Sequence, residues 1–114
     1  MSNKILTLLG FCRKAGKLIV GTMRVTERIK ENKPCLVMLA EDVSAKTKKE
    51  LEFYAGNKKS VVVSVPFDTL TVSKAIGTKA GVIATYDEGF KKAISTQISN
   101  LENTVPKTIK EENN

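Results

Sequence analysis

The sequence predicts an α/β chain folded as a three-layer α/β/α sandwich around a mixed, mostly parallel four-stranded sheet. Three observations carry that expectation. Helix-periodic and strand-like stretches alternate along the 114 residues, an order that lays helices on both faces of one sheet. Two strand candidates, Cys35 to Ala40 and Ala80 to Thr85, are apolar at nearly every position. A strand covered on both faces reads this way, whereas a strand with one wet face alternates. Finally, the length suits one domain, expected over residues 1–100, with a polar and mobile tail over residues 101–114.

The elements follow in order. Ile5, Leu8, Leu9 and Cys12 recur at helical spacing, so a first amphipathic helix is expected over residues 3–14, ended by Gly16. Leu18-Ile19-Val20 predicts a short strand. Thr22 is expected to cap a second helix running to about Asn32, with Val25 and Ile29 inward and Pro34 beyond its end. Glu41 and Asp42 stop the apolar strand that starts at Cys35. Ser44 then caps a third helix, with Thr47, Leu51, Tyr54 and Ala55 on one face and the pairs Lys46–Glu50 and Lys48–Glu52 on the other, before Gly56-Asn57 ends it. Val61 to Val65 is a β-branched strand halted by Pro66. Val72, Ala75 and Ile76 predict a short helix ending at Gly77. Asp87 caps the last helix, with Phe90, Ala93, Ile94, Ile98 and Leu101 inward.

Several chemistries are left without their residues. The chain has no histidine, no CxxC pair and no apolar run near eighteen residues. Zinc sites built on Cys and His, Ser-His or Cys-His nucleophiles and a membrane span are therefore not expected. The opening Met1-Ser2-Asn3-Lys4 leads into a mixed stretch without a cleavage pattern, so no signal peptide is expected. Cys12 and Cys35 lie in apolar runs and are expected to be buried free thiols of a reducing compartment, which makes the cytoplasm the expected location. Gly10 to Lys17, GFCRKAGK, has five residues between its glycines and Leu18 after its lysine. A phosphate-binding loop needs four, then Lys and Ser or Thr. Glu41 and Asp42 end a buried strand, a place where carboxylates could hold a metal or trade protons. Without a second acidic cluster they are expected to form a solvated turn supporting the next helix, and no catalysis, metal, cofactor or small-molecule substrate is expected.

The charge distribution is the positive signal. The net formal charge is +7, and residues 1–33 hold eight basic and two acidic side chains, a net of +6. Arg13 to Lys30 alone carries six cations against Glu27. Arg24 falls in the first turn of its helix, where the macrodipole disfavours a cation. A local rule broken without evident gain marks a functional position. Thr22 and the open amides of that turn add donors, and Lys14, Lys17 and Arg28 add charge nearby, which together make an anion site. The patch is broad, and aromatic residues are only 5% of the chain. A folded RNA gripped through its backbone fits it better than a stacked single strand.

Three segments carry a resemblance: LLGFCRKAGKLIVG, then CLVMLAEDVSAKTKKEL, then AIGTKAGVIATYDEGFKKAI. In this order and spacing the chain resembles the ribosomal protein L7Ae/L30e superfamily, and within it the bacterial YlxQ-like branch, over residues 3 to about 98. The resemblance implies an α/β/α sandwich that binds RNA without catalysis, commonly the kink-turn, a bend containing sheared G·A pairs. It implies that the start of the second helix reads that bend, where the usual pattern is Gly, any residue, Asn, Glu, two residues, Lys. Here Gly21 is kept and Thr22 follows, but Met23, Arg24 and Glu27 stand at the Asn, Glu and Lys positions. It further implies that the loop Gly77-Thr78-Lys79-Ala80-Gly81 covers an unpaired base, with Asp42 and Lys46 beside it. The expected partner is structured RNA, with ribosomal RNA a candidate, and the expected state a monomer. The rival expectation is a protein–protein adaptor that kept the fold after losing kink-turn recognition.

Overall fold

Side chains of the strand Leu36–Leu39 leave alternately on both sides of the sheet, and this sorts the helices into two layers. The structure, a computed structural model, describes residues 3–56 and 59–104. Its strands are β1 (Ile19–Val20), β2 (Leu36–Leu39), β3 (Val61–Ser64) and β4 (Val82–Thr85), in the order β1-β4-β2-β3. Its helices are α1 (Lys4–Lys14), α2 (Thr22–Lys30), α3 (Ala45–Gly56), α4 (Thr69–Ile76) and α5 (Glu88–Thr104). Leu36, Met38 and Ile83 pack with Ile5, Leu9, Val72, Ile76 and Ile94, so α1, α4 and α5 cover one face. Val37, Leu39, Val82 and Ala84 pack with Val25, Ile29 and Leu51, so α2 and α3 cover the other. The three-layer sandwich is as expected.

The direction of the strands is not. Only β2 and β3 are parallel; β4 is antiparallel to both β2 and β1. The sheet is mixed, not mostly parallel. Continuous apolar runs report that both faces are covered, and a central antiparallel strand between two helical layers reads the same way as a parallel one.

Smaller corrections have local causes. Thr22 does not cap α2; it is the first helical residue, and the cap is Gly21 with φ 102° and ψ 146°. Helix α2 ends at Lys30, and Asn32 turns the chain at φ 65°. Helix α4 starts earlier than its apolar signal because Asp68 accepts from the Thr71 N–H at 2.8 Å and caps it, which also holds the Asp68 carboxyl below its usual pKa. The expected pairs Lys46–Glu50 and Lys48–Glu52 are not formed. Among the described residues the ion pairs within 4.0 Å are Lys17–Asp87 and Lys91–Glu88, and exposed charges gain little by leaving water. Helix α5 continues to Thr104, into the stretch expected as a tail. The remainder of that expected tail, and Asn57, lie outside the described residues. Gly10 lies inside α1, not in a phosphate loop, and a Cβ there would meet the Ala75 carbonyl oxygen at 3.0 Å. Cys12 and Cys35 are buried and free, and burial pushes both thiols up.

The junction before β4 is tight. Asp42 Oδ1 accepts from the Thr69 N–H at 2.9 Å and from its hydroxyl at 2.7 Å. A Cβ on Gly81 would lie 2.7 Å from Thr69 Oγ1 and 3.1 Å from Val43 Cγ2. Gly81→Ala must therefore turn Thr69 away from Asp42, and we expect it to cost about 1–2 kcal/mol in urea unfolding. In a Thr69→Ala background the same change costs less, because the clash has gone. Equal penalties in the two backgrounds would show that Thr69 is not what Gly81 protects.

Candidate functional site

The helix starts differ in one respect. Asn3 Oδ1 accepts from Ile5 N–H in α1, Ser44 Oγ from Thr47 N–H before α3, Asp68 Oδ1 from Thr71 N–H in α4 and Asp87 Oδ2 from Phe90 N–H in α5. Helix α2 has no side-chain cap. Its cap is Gly21, whose own N–H is committed to the Val82 carbonyl at 2.9 Å and whose backbone lies in a region essentially reserved for glycine. The first-turn amides of α2 thus open outward at the positive end of the helix dipole.

That turn faces a groove of about 450 Å³. Gly21 and Thr22 form one wall, Ser44 and Thr47 a second, and Thr69, Lys79 and Gly81 a third. Ser73 holds the third wall: its Oγ accepts from the Ala80 N–H at 3.0 Å, while the αL residue Gly77 ends α4. The Thr69 and Ser44 hydroxyls already donate to Asp42 and Thr47, so the open amides of the α2 first turn and the exposed Lys79 are what the groove offers to an acceptor.

A second cavity, of about 410 Å³, lies on the flank of α2 and shares no residue with the groove. Lys17, Arg24, Glu27, Arg28, Glu31 and Tyr86 bring its chemistry. The buried Thr85 donates to the Lys17 carbonyl at 2.7 Å, which fixes the loop after α1 against the end of β4. Lys17 Nζ reaches Asp87 at 3.8 Å with both side chains partly exposed, a weak pair. The guanidinium of Arg28 lies 5.5 Å from the centre of the Tyr86 ring, and Lys33 Nζ is at the same distance. Among the described residues no group of three or more His, Cys, Asp or Glu is placed to hold a metal ion.

The model of the ribosomal protein L7Ae/L30e/S12e/Gadd45 family matches residues 3–95. The chain belongs to that family. It is 32% identical over 94 residues to the RNA-binding protein YlxQ of Enterococcus faecium, covering 79% of this chain and 86% of that protein. Its fold superimposes on a protein of unknown function from Bacillus halodurans C with a TM-score of 0.80 at 29% identity, over 86% of this chain and 99% of the other. The 15.5kD RNA binding protein of Giardia lamblia shares the fold, with a TM-score of 0.71 at 13% identity over 92% and 93% of the two chains.

The residues singled out in the sequence divide between the two places. Gly21, Thr22, Lys79 and Ala80 line the groove, although Ala80 is buried and its N–H is bound to Ser73. Lys17, Arg24 and Arg28 line the flank cavity instead. Met23, Lys14 and Lys46 are exposed and line neither; Met23 is 76% exposed. Asp42 braces Thr69 behind the groove wall. Sequence reasoning missed Ser44, Thr47 and Thr69 as groove residues, having given the first two to α3, and missed Glu31 and Tyr86 in the cavity. An exposed aromatic directly after a buried strand was the available signal for Tyr86.

Gly21 starts α2 beside the groove. Gly21→Ala meets no atom within 4 Å but inherits φ 102°, so we expect a loss of about 1–3 kcal/mol in stability. Gly56→Ala, also in open space but without a positive φ, serves as control and should be neutral or stabilising. Equal effects at the two positions in urea unfolding would remove the strain assigned to Gly21.

Proposed function

We propose that this protein is a non-catalytic, cytoplasmic RNA-binding protein that grips structured, kink-turn-like RNA with the first turn of α2 and the groove beside it. The observation that carries this reading is the side-chain-free cap of α2, opening onto a groove walled by hydroxyls and Lys79. A phosphate or a base acceptor is the natural complement of such a turn. Family membership and the name of the Enterococcus faecium relative support RNA as the polyanion, and so does the +6 net charge of residues 1–33.

The departures at Met23, Arg24 and Glu27 shape what is read. Met23 offers an exposed apolar surface where the family pattern has an amide. Arg24 and Glu27 line the flank cavity, and Arg24 presents donors where a carboxylate would accept from a guanine edge. A standard kink-turn is therefore bound below the strength the usual trio confers. Met23 and Leu70, exposed on the first turns of α2 and α4, are what a protein partner would use, and they support the adaptor reading as the second choice.

Binding of a kink-turn RNA should weaken steeply with salt, and Lys79→Ala should shallow the slope of log K against log salt by about 1. An adaptor would show no salt-dependent RNA binding. The triple variant Met23→Asn, Arg24→Glu, Glu27→Lys leaves net charge unchanged, so any gain reports geometry. We expect about a tenfold rise in kink-turn affinity, roughly 1.4 kcal/mol. Equal or lower affinity in a folded variant would mean that this helix start is not the reader.

A further inference from the structure

The flank cavity has a composition that phosphate gripping alone does not require. Arg24, Glu27 and Arg28 lie on one face of α2, and Glu31, its C-cap residue, follows three residues later. Exposed charges so placed need not pair, as Lys46–Glu50 and Lys48–Glu52 show. Here none of the four appears in an ion pair within 4.0 Å among the described residues; Arg28 lies over Tyr86 instead. A single cavity thus offers the donors of Arg24, the carboxylate acceptors of Glu27 and Glu31 and the Tyr86 ring, with the cations of Arg28 and Lys33 each 5.5 Å from the ring centre; Lys17, weakly paired with Asp87, lines it too. Its volume of about 410 Å³ falls in the range of small-ligand pockets.

We infer that this cavity binds a guanine nucleotide. The base stacks on the Arg28–Tyr86 pair, as bases do on aromatic rings and guanidinium planes. A carboxylate of Glu27 or Glu31 accepts from the N1–H and the exocyclic amine of guanine. Arg24 and Lys17 take the phosphate. Guanine is selected over adenine because adenine turns an acceptor, N1, toward the carboxylates, where repulsion replaces a hydrogen bond. The nucleotide is either free or an unpaired guanosine of a bound RNA, since both present the same base edge and phosphate.

The test is titration of the full-length ¹⁵N-labelled protein with GMP, AMP and guanosine, following amide shifts. GMP should bind saturably at Tyr86 and along Glu27 to Glu31, about tenfold or more tightly than AMP. Guanosine should bind more weakly than GMP. Glu27→Gln with Glu31→Gln, both exposed, should abolish the preference for GMP over AMP, and Tyr86→Ala should weaken both. Lys79→Ala, in the groove, should leave GMP binding unchanged. No saturable shift, or equal binding of GMP and AMP by the unaltered protein, overturns the assignment. A second arm finds the source. If RNA supplies the guanosine, changing one unpaired G to A in a bound RNA weakens the unaltered protein but not the double carboxamide variant. If the nucleotide is free, both RNAs bind alike while the GMP preference persists. GMP titration involves no structured RNA, so its failure would leave the groove reading standing; the groove is tested separately by Lys79→Ala, because the triple variant changes Arg24 and Glu27, which this cavity also uses.

Discussion

The antiparallel insertion of β4 between β1 and β2 is the constraint on which both surfaces depend. Val82 to Thr85 is buried throughout and pairs with Ile19–Val20 on one side and Leu36–Leu39 on the other. At its start, the Gly81 carbonyl accepts from Ala40 N–H and the Val82 carbonyl from Gly21 N–H. Those two bonds bring the starts of α2 and α3 and the loop before β4 around one groove. At its end, Thr85 ties down Lys17, and the next residue, Tyr86, enters the flank cavity. One strand therefore sets the walls of two sites at its opposite ends, with α2 lying between them.

This arrangement explains why the basic third of the chain is not one patch. Helix α2 buries Val25 and Ile29 against the sheet. Its first turn faces the groove, while Arg24, Glu27 and Arg28 on its flank, with Glu31 at its C-cap, line the cavity. Capping chemistry sharpens the division. Helix α4 starts only a wall away, yet its amides are occupied by the protein's own carboxylates, Asp42 on Thr69 and Asp68 on Thr71. An external anion competes poorly there and well at α2.

Much of the fold was legible in the sequence, since each helix and strand had its own local signal. Apolar spacing marked α1 and α5, and the unbroken runs marked β2 and β4. Strand direction was not legible, because burial on both faces carries no record of which way the chain runs. The site was legible as charge but not as geometry. Lys17, Arg24 and Arg28 looked like one patch with Gly21 and Thr22 because they are near in sequence, but they line the flank cavity while Gly21 and Thr22 line the groove. Thr69 and Tyr86 could be placed only through the pairing of β4, a contact of long sequence separation that no local pattern encodes.

The central claim, that the uncapped start of α2 and the neighbouring loop grip RNA, is tested most directly by an amide footprint. Adding a kink-turn RNA to the ¹⁵N-labelled protein should give its largest shifts at Thr22, Met23 and Arg24 and over Thr78 to Gly81, with the first turn of α4 little affected. Shifts confined to other surfaces, or none at RNA concentrations that saturate the salt-dependent binding, would contradict the account.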